Sequence, residues 1–300
     1  MRYDFLRIFL PAVMMFLLCV HLQASEKLVF IYTNSIEGNL EGCDCSGGSG
    51  PGLIGISAIA RKMRFSGAKV VLVDCGNFFP ALDDGLIRGF MVRGAVIAGY
   101  DAIIPGKNEF AAVRDLISGG DGKFPLVCAN AEMKGRGAFL KSVIIRAGVT
   151  IGLTGLASRY SSDGIPAEIS RDLKLSDPAA AFSDEAGRLK KSGADLVVAV
   201  AHNGYRKIPA LRNADLIITG GMSDIHEKPF YDNGTLVVQA DPDGLTIGIL
   251  TLELVDKKIA GYKNRYVRPD YKKDRDANIK NLINEYNSAL KKRSGDLRLK

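Results

Sequence analysis

The chain has 300 residues, a formal charge of +7, 47% hydrophobic and 24% charged residues. This is ordinary globular composition and excludes a disordered or low-complexity chain. The charge is local: residues 256–300 carry 14 Lys/Arg against 6 Asp/Glu, and the remainder of the chain is close to neutral. A basic tail of this kind reads as a solvated helix face. With no aromatic-interleaved basic platform in view, no nucleic-acid partner is expected.

Met1–Arg7 carries Arg2 and Arg7, and Ile8–Val20 is an apolar run of 13 residues. A bilayer crossing needs roughly 20. With small residues at Ala24-Ser25, residues 1–25 read as a secretory signal peptide. The mature chain is then expected in the periplasm or outside the cell, and an N-terminal membrane anchor is the alternative. Lipid attachment through Cys19 is disfavoured by Leu18, where a lipobox wants a small residue. No later stretch is long and apolar enough to span a membrane.

Strands and helices alternate from there. Leu28–Thr33 is a buried-strand run, followed by a Gly-, Ser- and Cys-rich loop over Asn34–Gly52. Leu53–Phe65 has helical periodicity. Val70–Val73 is a strand, Leu86–Gly99 a helix, Ile103–Ile104 a short strand and Glu109–Ile117 a helix. Pro125–Ala129, Val143–Arg146 and Thr150–Gly155 are further strands. Ser176-Asp177-Pro178 opens a helix that runs to Lys191. Leu196–Ala201 and Leu216–Thr219 are strands, and Thr235–Gln239 with Leu245–Val255 suggests an antiparallel finish. Arg275–Lys292 is an amphipathic helix with Ile279, Leu282, Ile283, Tyr286 and Leu290 on one face, expected to pack on the body of the domain. The pattern is α/β, in one domain over residues 26–268 followed by a basic helix and tail over 269–300.

Five loops follow five of these strands. They are Thr33-Asn34-Ser35-Ile36-Glu37-Gly38, Asp74-Cys75-Gly76-Asn77, Gly106-Lys107-Asn108-Glu109-Phe110, His202-Asn203-Gly204 and Gly220-Gly221-Met222-Ser223-Asp224. Their succession resembles the calcineurin-like metallophosphoesterases, in particular the N-terminal domain of periplasmic 5′-nucleotidases and UDP-sugar hydrolases. The resemblance implies a four-layer α-β-β-α sandwich of two mixed sheets with the site at the strand ends. It also implies two divalent metals about 3.5–4 Å apart that clamp a phosphate and activate a water.

This sequence departs from the family pattern at the ligands. Ser35 and Glu37 stand where the family has Asp and His, and Asn77 stands for the bridging Asp. Lys107 stands for a metal-binding Asn, and Asn108 for the phosphate-stabilising His. Met222 and Asp224 stand for two His, and only His202 matches. A charged Lys has no lone pair to give a metal. No metal cofactor is therefore expected, although a mononuclear divalent site using Glu37, Asp224 and His202 stays open. Lys107 would act as a fixed cation with Glu37 and Asp224 as ion-pair partners, in a pocket for a small anionic or phosphate-containing ligand that is bound and not turned over. A filled structural vestige is the plain alternative. If active, the protein would be a metal-dependent phosphoester hydrolase.

After signal removal Cys43, Cys45, Cys75 and Cys128 remain, which permits two disulfides in an oxidising compartment. With the loops at one face, Cys43, Cys45 and Cys75 beside His202 would form a thiol or soft-metal site, the second alternative. Cys128 sits on an apolar strand and reads as core. The nucleoside-gripping second domain that the resemblance would place after the last helix is not expected to contribute to binding.

Overall fold

The computed structural model describes residues 26–42, 50–82, 84–118, 124–135, 137–203, 211, 213–221, 228–270 and 272–298. The first half runs β1 (Glu26–Thr33), α1 (Gly52–Phe65), β2 (Lys69–Asp74), α2 (Gly85–Ala98), β3 (Ala102–Ile103), α3 (Lys107–Ser118) and β4 (Ala131–Met133). Then come β5 (Ser142–Ala147), β6 (Val149–Ala157), a 3-10 turn at Arg159–Ser162, α4 (Ala167–Ser170), β7 (Leu173–Leu175) and α5 (Pro178–Lys191). The chain ends with β8 (Leu196–His202), β9 (Leu216–Gly220), β10 (Phe230–Asp232), β11 (Thr235–Gln239), β12 (Ile247–Val255), β13 (Lys258–Val267) and α6 (Ala277–Arg298).

Two mixed sheets carry the fold. One has the order β13-β12-β1-β2-β3 and the other β10-β11-β9-β8-β6-β5, with β4 and β7 as a separate small pair. Side chains alternate across each strand. Leu28, Phe30, Tyr32, Val71 and Val73 therefore meet Leu153, Val198, Val200, Leu216 and Ile218 in a core between the sheets. Val29, Ile31, Leu72 and Ile249 point the other way, into a core with α1, α2 and α6. On the second sheet Val197, Ala199 and Ile217 pack against Phe182, Ala186 and Leu189 of α5.

The C-terminal helix packs on the body, as expected from its apolar stripe. Ile279, Leu282 and Ile283 are buried, and Tyr286 meets Phe90 of α2 edge-on at 5.3 Å. Asp276 starts the helix by accepting from the amides of Asn278 and Ile279. It is tied in turn to Ser57 and Arg61 of α1.

Two expectations are corrected, and one strand is added that none foresaw. Residues 125–129 make only isolated bridges, at Leu126 and Val127. β11 and β12 do not form an antiparallel finish: β11 runs parallel to β9, while β12 is antiparallel to β1 in the other sheet. Finally, β13 lacks apolar alternation because it is a mostly exposed edge strand, so periodicity does not reveal it.

Candidate functional site at the strand ends

The loops after β1, β2, β8 and β9 are joined by hydrogen bonds, most of them between backbone groups. Ser35 N donates to Gly76 O, Glu37 N to Asn77 O and Gly38 N to Phe78 O, each at 2.9 Å. Asn203 N donates to Gly220 O at 3.0 Å, and Gly221 N to Asn34 Oδ1 at 3.0 Å. Ser35, Glu37, Asn77 and His202 are thereby gathered at one end of the sandwich, and the Glu109 carboxylate, which accepts from Asn77 N and Gly106 N, brings Lys107 and Asn108 to the same end.

The backbone here is unusual. Ser35, Glu37, Asn77 and Asn203 have φ of 50°, 51°, 57° and 58°. A non-glycine residue in this region costs about 1–3 kcal/mol and persists only when its surroundings hold it. Gly76 has φ 112°, and a Cβ there would lie 2.4 Å from His202 Nδ1. Only glycine lets the second loop pass the imidazole.

His202 is buried, and its Nδ1 lies 2.5 Å from Cys75 O. A carbonyl only accepts, so Nδ1 carries the proton and Nε2 keeps its lone pair. Burial pulls the imidazole down to about 4, partly opposed by this hydrogen bond, and the ring is neutral at pH 7.

Glu109 is fully buried. Its carboxylate accepts from Asn77 N at 2.9 Å, Phe79 N at 2.8 Å and Gly106 N at 2.8 Å. Burial raises its pKa and the three amides oppose the rise. Asp74 is also buried; it accepts from Thr33 Oγ1 at 2.6 Å and Gly76 N at 2.9 Å. Desolvation raises its pKa well above the ordinary aspartate value, with a smaller push from Glu109. Asn34 donates to Ser35 Oγ at 2.9 Å while its carbonyl takes Gly221 N. Sequence reasoning does not single out Glu109, Asp74 and Asn34 as site-building residues. Each stands within a strand-end motif, and a polar residue bordering a buried strand is the available signal.

Several sequence expectations need correction or placement. Lys107 opens α3, two residues earlier than predicted, and is exposed. Its Nζ rests near Gly164, 3.1 Å from where a Cβ there would sit. Glu37 is exposed as well, and among the described residues no ion pair joins Lys107 to Glu37 or to any other carboxylate. Two solvated charges gain little by pairing. Asn108 does not face a ligand with its amide nitrogen: Nδ2 donates to Phe79 O at 2.7 Å. Asp224 and Met222 lie outside the described residues, as do Cys43 and Cys45.

Cys75 departs from the thiol reading. It is free and buried, with its side chain in the core between the sheets. Burial, then the Asp74 carboxylate, pushes its thiol well up, which suppresses the reactive thiolate. Cys128 is free and buried, as expected of a core residue, and burial raises it to about 12. Two free thiols among the four cysteines exclude two disulfides.

A two-metal centre needs several anionic or imidazole donors with a bridging charge. The described positions offer His202 Nε2, the Ser35 hydroxyl, the exposed Glu37 carboxylate and Asn77 Oδ1, which is buried with no hydrogen-bond partner. Among the described residues no three His, Cys, Asp or Glu side chains converge as a metal would require. The neutral Asn77 and cationic Lys107 make this donor set a poor fit to a metal pair.

No protein-family model matches the chain. Endonuclease YhcR of Bacillus subtilis (strain 168) is 28% identical over 190 residues, 52% of this chain and 15% of that protein. The 5′-nucleotidase precursor of Thermus thermophilus superimposes with a TM-score of 0.72 at 19% identity, over 88% of this chain and 59% of that one. The calcineurin-like phosphoesterase YfkN of Bacillus subtilis superimposes with a TM-score of 0.65 at 20% identity, over 88% of this chain and 98% of that one. The chain thus spans a small part of the endonuclease and under two thirds of the nucleotidase.

Proposed function

We propose that this chain, whose fold is that of the calcineurin-like phosphoesterases and 5′-nucleotidases, works after secretion as a non-hydrolytic binder of a small phosphate-bearing or other anionic ligand. The observation that carries this reading is Lys107. Its ammonium is exposed on the first turn of α3, with no carboxylate in ion-pair range among the described residues. Gly106, the residue before it, lies against the Asn77 side chain, where a Cβ would come within 2.5 Å of Oδ1.

One exposed cation at a helix start favours an anion, and the helix dipole adds to it. Binding needs only this charge and neutral donors. Hydrolysis in this fold needs metals to lower the pKa of a water, and the donor set supports that poorly. The thiol reading has lost its central residue, because Cys75 is buried in the core.

The test combines calorimetry with inorganic phosphate, metal analysis and assays with p-nitrophenyl phosphate and its bis-ester. Phosphate is expected to bind without turnover. Lys107→Ala should weaken binding about tenfold, the scale of one charge-assisted hydrogen bond. Two equivalents of Mn, Zn or Fe together with turnover would replace this reading by an active hydrolase with an atypical metal set. In the triple variant Ser35→Asp, Asn77→Asp, Lys107→Asn, a gain of metal affinity is expected if the loops align with the family as argued.

A further inference from the structure

An exposed apolar feature lies at the end of the first sheet opposite the strand-end site. Phe65, the last residue of α1, is 84% exposed, and Val96 and Ile97 near the end of α2 are 43% and 36% exposed. Side chains this apolar and this open in one place mark an interaction surface. Phe65 and Ile97 rim a cavity of about 360 Å³ whose other walls are Ser57, Arg61, Arg64 and Ala98. Arg64 spends both terminal nitrogens on the carbonyls of Ala98 and Gly99. Arg61 meets Asp276 through Nε. Its two terminal NH₂ groups have no protein partner among the described residues. The cavity therefore places a guanidinium beneath an apolar rim.

The place of this cavity in the fold says what could cover it. α1 leads directly into β2, whose first residue Lys69 pairs with Leu28 near the start of β1. Lys69 also holds Glu26 through an ion pair of 2.7 Å. The chain thus enters the domain at the same end as Phe65. Residues 1–25, with Arg2, Arg7 and the apolar run Ile8–Val20, connect to it there. If that run is removed at Ala24-Ser25, a positively charged amino terminus is left at the same place. Lys27, Lys62 and Lys258 are exposed without an ion pair among the described residues and belong to the same end: Lys27 is the second residue of β1, Lys62 lies one turn before Phe65, and Lys258 pairs with Val255 at the far end of β12.

We infer that this face docks on a bilayer surface containing anionic lipid. Phe65 and Ile97 enter the interface, the cavity takes a phosphate headgroup on Arg61, and the surrounding lysines add attraction for the anionic surface. Apolar insertion combined with basic residues is the usual basis of such peripheral binding. The strand-end loops lie at the opposite end of β1 and β2, so docking leaves them open to solvent.

The test is vesicle flotation of the exported chain, with phosphatidylglycerol–phosphatidylcholine vesicles against pure phosphatidylcholine. The chain should float with the anionic vesicles and bind the neutral ones at least tenfold more weakly. Phe65→Ser combined with Ile97→Ser should reduce flotation at least tenfold in a variant that circular dichroism shows to be folded. Lys62→Glu, at an exposed position, should also weaken binding to the anionic vesicles. No flotation of the wild-type chain on anionic vesicles would overturn the inference. So would equal flotation of the folded double variant, which would assign attachment to residues 1–25. A concentration-dependent dimer abolished by the double variant, without vesicle binding, would make a second copy the occupant and overturn it as well.

Discussion

Three loop amides converge on the Glu109 carboxylate, and with them the position of Asn77 beside Gly106. Glu109→Gln keeps the shape but supplies a single oxygen, and its NH₂ would face donors. Leaving buried amides unpaired costs about 1–3 kcal/mol, and more where a charge was involved. A loss of about 2–4 kcal/mol is therefore expected in urea unfolding. Gly76→Ala should be at least as damaging, because its methyl would enter the His202 ring and its φ of 112° excludes an L side chain. The thiols give an independent check. Cys75 and Cys128 are buried and protonated, so neither should react with a maleimide in the native protein, and both should react in denaturant. Mass mapping of labelled peptides would read this out, and rapid native labelling of Cys75 would contradict its placement. At this scale the strand-end positions of His202, Asn77 and Lys107 were legible from motif order. The left-handed backbone at Ser35 and Glu37 was not, because neither residue type favours it.

Helix α6 was legible as an amphipathic stripe, and its role follows from what that stripe covers. Ile279 is fully buried against α1 and α2. Ile279→Ala should cost about 2–5 kcal/mol in unfolding free energy, the range for truncating a buried aliphatic side chain. The far end of the helix is held by Arg293 on Asp84, at 2.9 Å to each carboxylate oxygen. The hydrogen bond from Arg293 holds the Asp84 carboxyl down at about 2, below its ordinary 3.8. A depressed carboxylate stabilises above its unfolded pKa, and that stability is lost as pH falls through the folded one. The pair's contribution should thus be complete above about pH 4 and gone near pH 2. The pair is solvent-exposed, so Arg293→Ala should cost little at pH 7, and less in high salt. Denaturation of the two chains at pH 7 and pH 2 checks both size and sign. β13 shows the opposite case: a ten-residue strand with mostly exposed side chains owes its existence to pairing with β12 rather than to its own pattern.

The two sheets share one apolar core, in which Leu28, Phe30 and Val71 of one meet Leu153, Val198 and Ile218 of the other. Neither sheet can lose its partner without exposing that core. Unfolding should therefore be a single transition, coincident by far-ultraviolet circular dichroism and tyrosine fluorescence, the latter uncomplicated because the chain has no tryptophan. Separate transitions would mean that the sheets fold independently. The α/β class, most elements and the order of the strand-end loops were determined by the sequence alone. Periodicity, caps and motif residues are local properties of neighbouring positions. Tertiary structure decided which groups meet. It put Cys75 in the core with its carbonyl on His202, 127 residues away, and left Lys107 apart from Glu37. It also joined β12 to β1 across the length of the chain. Such distances depend on how remote segments pair and stack, and no local pattern carries that information.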